Sequence, residues 1–97
     1  MKVRNMIGTN GNAIANQFII EMGALTQFQS YDSPIVSIDR NKKIITVFEN
    51  YDYSKTTGKY RNLFMHSQGF FDMETIKGFK YYMNLGAIGD YEIVKTF

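Results

Sequence analysis

The sequence contains no cysteine and no tryptophan, and it has only one histidine, His66, and one proline, Pro34. Without thiols the chain can form neither a disulfide framework nor a zinc site of cysteine and histidine ligands. No apolar run is long enough to span a bilayer, and the first residues lack the apolar core of a secretory signal. We therefore expect a cytosolic protein that does not associate with membranes.

Apolar and aromatic residues are abundant. Of the 97 residues, 44% are hydrophobic and 15% are aromatic, with eight Phe and seven Tyr. This composition argues against disorder, and a chain of this length can close one modest core. We expect a single domain over residues 1–97, with large rings in its core and some Tyr hydroxyls in contact with water.

The formal net charge of +2 is unevenly distributed along the chain. Residues 40–61 carry six basic and two acidic side chains, a local charge of +4, so the remainder carries −2. Such asymmetry can mark a surface for phosphates or for an acidic protein partner. Alternatively, these charges only solubilise a turn and one face of a helix.

The first half of the chain predicts strands separated by polar turns. The predicted strands cover residues 2–7, 16–22, 26–31, 35–39 and 44–48, and a last strand covers residues 91–97. In the second of these, Phe18, Ile20 and Met22 alternate with the residues between them, which is typical of a half-buried strand. Pro34 is expected to interrupt pairing, because proline cannot donate to a central ladder.

Two helices are predicted in the second half, at about residues 56–68 and 73–85. Apolar residues recur at helical spacing in both, and Gly69 is a suitable stop for the first. Asp72 is a suitable N-cap for the second, and Gly86 stands where a C′ glycine belongs. Gly78, inside the second helix, predicts close packing against the sheet, since glycine otherwise destabilises a helix.

The order of these elements predicts an α+β fold. Several strands, two helices and a final strand favour a small antiparallel sheet of about four to six strands, with both helices packed on one face. The order of the strands within the sheet does not follow from the sequence.

The chemically most distinctive segment is YDYSKTTGKYRNLF, which leads into the first predicted helix. Ser54, Thr56 and Thr57 lie where free backbone N–H groups and the helix dipole favour an anion, and a lysine and an arginine follow. The segment can therefore hold a phosphate, although the spacing of a P-loop is absent. Alternatively, one hydroxyl is an ordinary N-cap and the others are solvated or satisfy turn groups.

We predict a contact surface of basic, amide, hydroxyl and aromatic side chains. Its candidate binding residues are Lys42, Lys43, Lys55, Lys59, Arg61, Asn62, Tyr53, Thr56 and Thr57. Aromatic rings beside lysine or arginine can stack on bases or anchor a protein interface. No cofactor, metal site or catalytic residue is predicted, because the chain has no second histidine, no nucleophile elbow and no nucleotide fingerprint.

Three segments, NGNAIANQFII, FQSYDSPIVSID and YDYSKTTGKYRNLF, together resemble an uncharacterised family of small proteins encoded by bacteriophages and related mobile elements. The matching positions in this chain are Asn16, Gln17, Phe18, Ser30, Tyr31, Tyr53, Ser54, Thr56, Thr57 and Lys59. The chain departs from the pattern at Pro34 and in its Tyr-rich second helix. The resemblance implies a phage accessory protein and transfers no catalytic residue.

Three hypotheses about function follow. The first is a non-enzymatic phage accessory protein, monomeric or homodimeric, that binds a host macromolecule, such as a nucleic-acid-handling effector, as an anti-CRISPR or other anti-defence inhibitor does. The second is direct nucleic-acid binding through the basic segment 40–61. The third is binding or sequestration of a phosphate-bearing small molecule at the start of the first helix.

Overall fold

The computed structural model describes all residues from 1 to 97 and contains seven strands, two α-helices and one 3₁₀ turn. The strands are β1 (Lys2–Ile7), β2 (Ala13–Met22), β3 (Leu25–Ser30), β4 (Ser33–Asp39), β5 (Ile44–Val47), β6 (Ala87–Ile88) and β7 (Tyr91–Lys95). The helices are α1 (Lys55–Ser67) and α2 (Ile76–Leu85), and the 3₁₀ turn covers Phe71–Met73. The predicted α+β class is confirmed. Neither helix is long and apolar enough to cross a membrane.

All seven strands form one sheet in the order β1-β2-β3-β4-β5-β7-β6. The first five strands form an antiparallel meander, because short turns join each strand to its neighbour. β7 instead runs parallel to β5. The chain between these two strands passes through both helices on one face of the sheet, which provides the long crossover connection that a parallel pair requires. The sheet is therefore mixed and has more strands than predicted, and the additional strand, β6, has only two residues.

Both helices pack on the same face of the sheet, as predicted. The core lies between them and the strands, and its strand members include Ile19, Phe28, Ile38, Ile45 and Ile93. Phe28 of β3 stacks on Phe64 of α1 with ring centroids 5.7 Å apart. We call this side the helix-covered face and the other side the open face.

β2 alternates between two faces as predicted, but its buried members are Gln17 and Ile19 rather than the apolar set Phe18, Ile20 and Met22. Ile19 is buried and pairs with Phe28, so it lies on the helix-covered face. Phe18, Ile20 and Met22 therefore lie on the open face. Pro34 is inside β4 rather than before it, and it lies at a shift in register with β3, where a ladder hydrogen bond is not required.

α2 begins later than predicted, and Thr75 rather than Asp72 is its N-cap. The Thr75 Oγ1 accepts a hydrogen bond of 3.1 Å from the backbone N–H of Gly78. Gly78 is closely packed, but against the 3₁₀ turn rather than the sheet, because a Cβ there would lie 2.1 Å from the carbonyl oxygen of Asp72. The end of α2 is as predicted, since Gly86 has a φ of 84° and its N–H bonds to the carbonyl of Tyr82.

Candidate functional site

The hydroxyls at the start of α1 mainly hold the helix in place. Ser54 is the N-cap, and its Oγ accepts a hydrogen bond of 3.1 Å from the N–H of Thr57. The Ser54 hydroxyl also donates to Thr57 Oγ1 at 3.1 Å. Thr57 is buried, and its Oγ1 lies 3.1 Å from Ser30 Oγ on β3. These contacts support the capping alternative and leave Thr56 as the exposed hydroxyl.

The three segments that carry the resemblance to an uncharacterised family meet at this end of the sheet. Gln17 and Ser30 are register partners on β2 and β3, and Ser30 contacts Thr57 of α1. Next to them, Asn16 and Tyr31 both have left-handed backbone, with φ values of 64° and 54°, and the Tyr31 N–H donates to the Asn16 carbonyl at 2.7 Å. The residues that carry the resemblance therefore include some of those that join α1 to the sheet.

Arg61 is a predicted surface residue that the structure places in the interior, with only 1% of its side chain exposed. Its Nη1 donates to the Tyr51 carbonyl at 2.8 Å and to Asp52 Oδ1 at 3.2 Å, and its Nη2 donates to Asn62 Oδ1 at 2.9 Å. The guanidinium also lies 5.0 Å from the ring centre of Phe79. Arg61 thus joins the loop before α1 to both helices.

Burial of the Arg61 guanidinium lowers its pKa, and the nearby Asp52 carboxylate partly opposes this effect. An arginine remains protonated under such conditions because its ordinary pKa is so high. The buried side chain is therefore still a positive charge, but it is already engaged by protein acceptors. Asn62, which is half-buried, also uses its side-chain oxygen for this contact.

A groove of about 440 Å³ lies between the first half of α1 and the start of α2. Its lining includes Asp52, Lys55, Lys59 and Arg61. Lys80 of α2 reaches its margin, where the Lys80 Nζ lies 3.7 Å from Asp52 Oδ2. These four cations and one carboxylate give the groove a net charge of +3, and we call it the basic groove.

Two predicted binding residues, Lys42 and Lys43, lie at the far end of α1 from the basic groove. Gln68, which directly follows α1, contacts the β4–β5 turn, where Arg40 Nη2 donates to Gln68 Oε1 at 2.7 Å. The 13 residues of α1 separate its two ends by about 20 Å. Lys43 also has a local partner, since its Nζ lies 3.8 Å from Asp90 Oδ2. The basic segment of the sequence is thus divided between two surfaces.

Of the remaining predicted residues, Asn62 lines the basic groove, whereas Tyr53, Thr56 and Thr57 do not. Tyr53 immediately precedes the N-cap of α1 and is 60% exposed. Lys59 stands between the basic groove and a second depression of about 340 Å³, which separates α1 from the β1–β2 turn and is lined by Asn10, Asn12 and Tyr60 among others. The Lys59 Nζ lies 5.3 Å from the ring centre of Tyr60.

His66 lies near the opposite end of α1 and contacts the segment after the helix. Its Nδ1 is 2.5 Å from Glu74 Oε2, and its ring meets the edge of Phe71 at a centroid distance of 5.1 Å. The structure contains no group of three His, Asp or Glu side chains arranged to hold a metal ion.

Lys80 and Asp52 are members of the basic groove that the sequence pattern does not identify. Lys80 lies 28 positions after Asp52 and outside the basic segment, so only the packing of α2 beside α1 reveals the pair. Asp52 reduces the charge of the segment but fixes the position of Arg61.

The fold and the groove define a small α+β domain with a one-sided helical layer and a basic cleft between its helices. The model of a family of unknown function, DUF8033, matches residues 1–79. The chain therefore belongs to this family, and the match ends inside α2 and before β6 and β7. No curated protein and no solved structure matches the chain.

Proposed function

We propose that this protein is a bacteriophage-encoded, non-enzymatic accessory protein that binds a host macromolecule in the host cytosol through the basic groove. In this proposal it acts as an anti-defence inhibitor, such as an anti-CRISPR. The observation that carries the proposal is the clustering of Lys55, Lys59 and Lys80 around a cleft with one carboxylate. The resemblance to small phage proteins supports the biological context.

The groove suits an acidic protein surface. Lys55 and Lys59 are four residues apart on α1, so both side chains project from the same face of a rigid helix. Charges gathered in a cleft attract an oppositely charged partner and raise the rate of encounter. The bonds of Arg61 fix the groove before a partner arrives, which reduces the ordering cost of binding.

Direct binding of nucleic acid is the second candidate function. The same lysines can neutralise phosphates, and the exposed Tyr53 ring lies beside them in the chain, where it can stack on a base. The division of the basic segment reduces the number of cations that one nucleic-acid strand can contact at the groove, whereas an acidic protein patch needs only a local cluster.

The proposal is tested by affinity purification from bacterial lysates with a tagged protein. The double variant Lys55→Glu/Lys59→Glu reverses the charge of the basic groove, and Lys42→Glu/Lys43→Glu makes the same change at the far end of α1. We expect the wild type and the far-end variant to retain the same stoichiometric host protein and the groove variant to lose it. Nuclease treatment of the lysate should leave this result unchanged.

Four outcomes contradict the proposal. Recovery of no stoichiometric protein argues against a host partner, and equal recovery by both double variants argues against the groove. Binding of purified single-stranded DNA or RNA at about 50 mM salt, where non-specific affinity is high, supports the second candidate instead. Thermal stabilisation by nucleotides, which should reach about 2.7 kcal/mol at 100 times the dissociation constant, indicates a phosphate-bearing small molecule.

A further inference from the structure

A depression of about 380 Å³ lies between the segment after α1 and the β6–β7 turn. The rings of Phe70, Phe71 and Tyr91 form part of its lining. Its charged lining residues are Asp72 and Asp90, and no basic side chain lines it. We call it the aromatic pocket. Its volume falls within the range of about 300–1,000 Å³ that small-molecule sites occupy.

The rings of the aromatic pocket are held by contacts within the protein. Phe70 meets Tyr91 edge to face, with ring centroids 5.1 Å apart, and both rings pack against the core. Phe71 is 59% exposed, but its ring centroid lies 5.1 Å from that of His66, whose Nδ1 contacts Glu74. The pocket therefore presents positioned aromatic surface to solvent, where a ligand can reach it.

A lysine of the chain itself shows what this surface attracts. Lys43, from the β4–β5 turn, has its Nζ 5.1 Å from the ring centre of Tyr91 and 3.8 Å from Asp90 Oδ2. An ammonium group over a ring is attracted by the negative face of the ring as well as by a nearby carboxylate. Lys43 stands at the margin and does not line the pocket. Phe71 and Asp72 have no cation of this chain as a partner, so they remain available to a second ammonium group.

The electrostatic surroundings of the aromatic pocket also favour a cation. Its two carboxylates and Lys43 leave a net charge of −1, whereas the whole chain carries +2. Gly69 in the lining follows the last residue of α1, Ser67, by two positions, so the negative end of the helix dipole lies close by. The neighbouring ionisable side chains, His66 and Glu74, contact each other. The pocket is thus opposite in electrostatic character to the basic groove.

We propose that the aromatic pocket is a binding site for an alkylammonium group, the primary ammonium on an aliphatic chain that polyamines and lysine side chains share. The ammonium contacts the exposed ring of Phe71 and the Asp72 carboxylate, and the aliphatic chain packs on Ile88 and the other rings. This site is independent of the anionic partner proposed for the basic groove. Each exposed contact contributes little, so we expect a dissociation constant on the order of 1 mM for a single amine.

The test is a titration of the full-length, isotope-labelled protein followed by heteronuclear NMR, with Nα-acetyl-lysine methylamide and the diamine cadaverine as probes. Nα-acetyl-norleucine methylamide is the matched control, because its side chain is linear and aliphatic but lacks the ammonium group. We expect both amines to shift the backbone signals of Gly69, Gly89 and Tyr91 saturably, and the norleucine compound to leave them unchanged. Stronger binding of cadaverine identifies a free polyamine as the preferred source of the ammonium group, and stronger binding of the lysine compound identifies a protein side chain.

Substitutions in the aromatic pocket should weaken the binding of both amines. Phe71→Leu keeps an apolar side chain but removes the ring, and Asp72→Asn removes a charge. Each should raise the dissociation constant about two- to fivefold. The matched controls are Tyr81→Leu on α2, where the ring is 61% exposed, and Asp32→Asn in the exposed β3–β4 turn. Neither control should change the dissociation constant.

The absence of shifts with both amines at tens of millimolar overturns the proposal. Equal binding of the norleucine compound overturns it as well, because the ammonium group is then not recognised. Equal weakening by the pocket and control substitutions does the same, since the binding surface then lies elsewhere. The NMR spectrum of each variant establishes that it is folded, and if Phe71→Leu is not, Asp72→Asn and the norleucine comparison decide the matter.

Discussion

Replacement of Arg61 by alanine should destabilise the protein strongly. The substitution removes three hydrogen bonds from a buried guanidinium and its contact with the Phe79 ring, and it leaves the Tyr51 carbonyl and the Asn62 amide without their partner. Loss of one member of a buried ion pair costs about 3–5 kcal/mol. Asp52, however, is 38% exposed, and water can solvate it, so we expect about 2–4 kcal/mol.

Urea unfolding followed by circular dichroism measures this loss through the midpoint and the slope of the transition. For a domain of this size the melting temperature should fall by about 4–8 °C for each kcal/mol. Lys59→Ala is the control, because Lys59 is exposed two positions earlier on α1 and should change stability by less than about 0.5 kcal/mol. An Arg61→Ala protein as stable as the Lys59→Ala protein would refute the architectural role of Arg61.

Other substitutions test the packing of the helices and the last strand. Gly78→Ala should cost about 1–3 kcal/mol despite the better helix propensity of alanine, because its Cβ meets the 3₁₀ turn, whereas Lys77→Ala should be neutral. Thr57→Val should cost about 1–3 kcal/mol by removing the hydroxyl that joins α1 to β3, and the exposed Thr56→Val should not. Ile93→Ala should cost about 2–5 kcal/mol, since Ile93 is a core residue of β7. Chemical denaturation measures all of them.

Each of these expectations has a contradicting result. A Gly78→Ala protein that is more stable than the wild type shows that the turn moves aside readily. Equal stability of the Thr57 and Thr56 variants shows that the buried hydroxyl contributes no more than the exposed one. A neutral Ile93→Ala change shows that β7 contributes little to the core.

The sequence is sufficient to predict the class of the fold and most of its elements, because periodicity is a local property. The predicted helix over residues 56–68 differs from α1 by one residue at each end. The sequence locates the end of α2 equally well. Gly86 ends the helix with a left-handed backbone conformation, which glycine adopts readily whatever its distant contacts.

The errors concern contacts between segments that are distant in the chain. The parallel pairing of β7 with β5 depends on the path of the chain across the sheet, which no local pattern encodes. The partner of Gly78 was predicted to be the sheet, but the 3₁₀ turn occupies that position. The choice of Thr75 over Asp72 as N-cap follows from the same turn, which includes Asp72.

The candidate site was only partly predictable for the same reason. Arginine is a residue type that usually lies at the surface. The burial of Arg61 depends on hydrogen-bond acceptors of Tyr51 and Asp52 and on the Phe79 ring of α2. Lys55 and Lys59 lie on the exposed side of α1 and remain candidate contact residues. Lys42 belongs to another surface, because the length of α1 separates it from them.

Site-specific photocrosslinking tests the central claim, that the basic groove is the binding surface, most directly. The chain has no cysteine, so a single cysteine at position 59 or at position 42 can carry a thiol-reactive photocrosslinker without a background signal. In a bacterial lysate, Lys59→Cys is predicted to form one discrete adduct with a host protein, and Lys42→Cys is predicted to form none. An adduct from position 42 with none from position 59 would contradict the account.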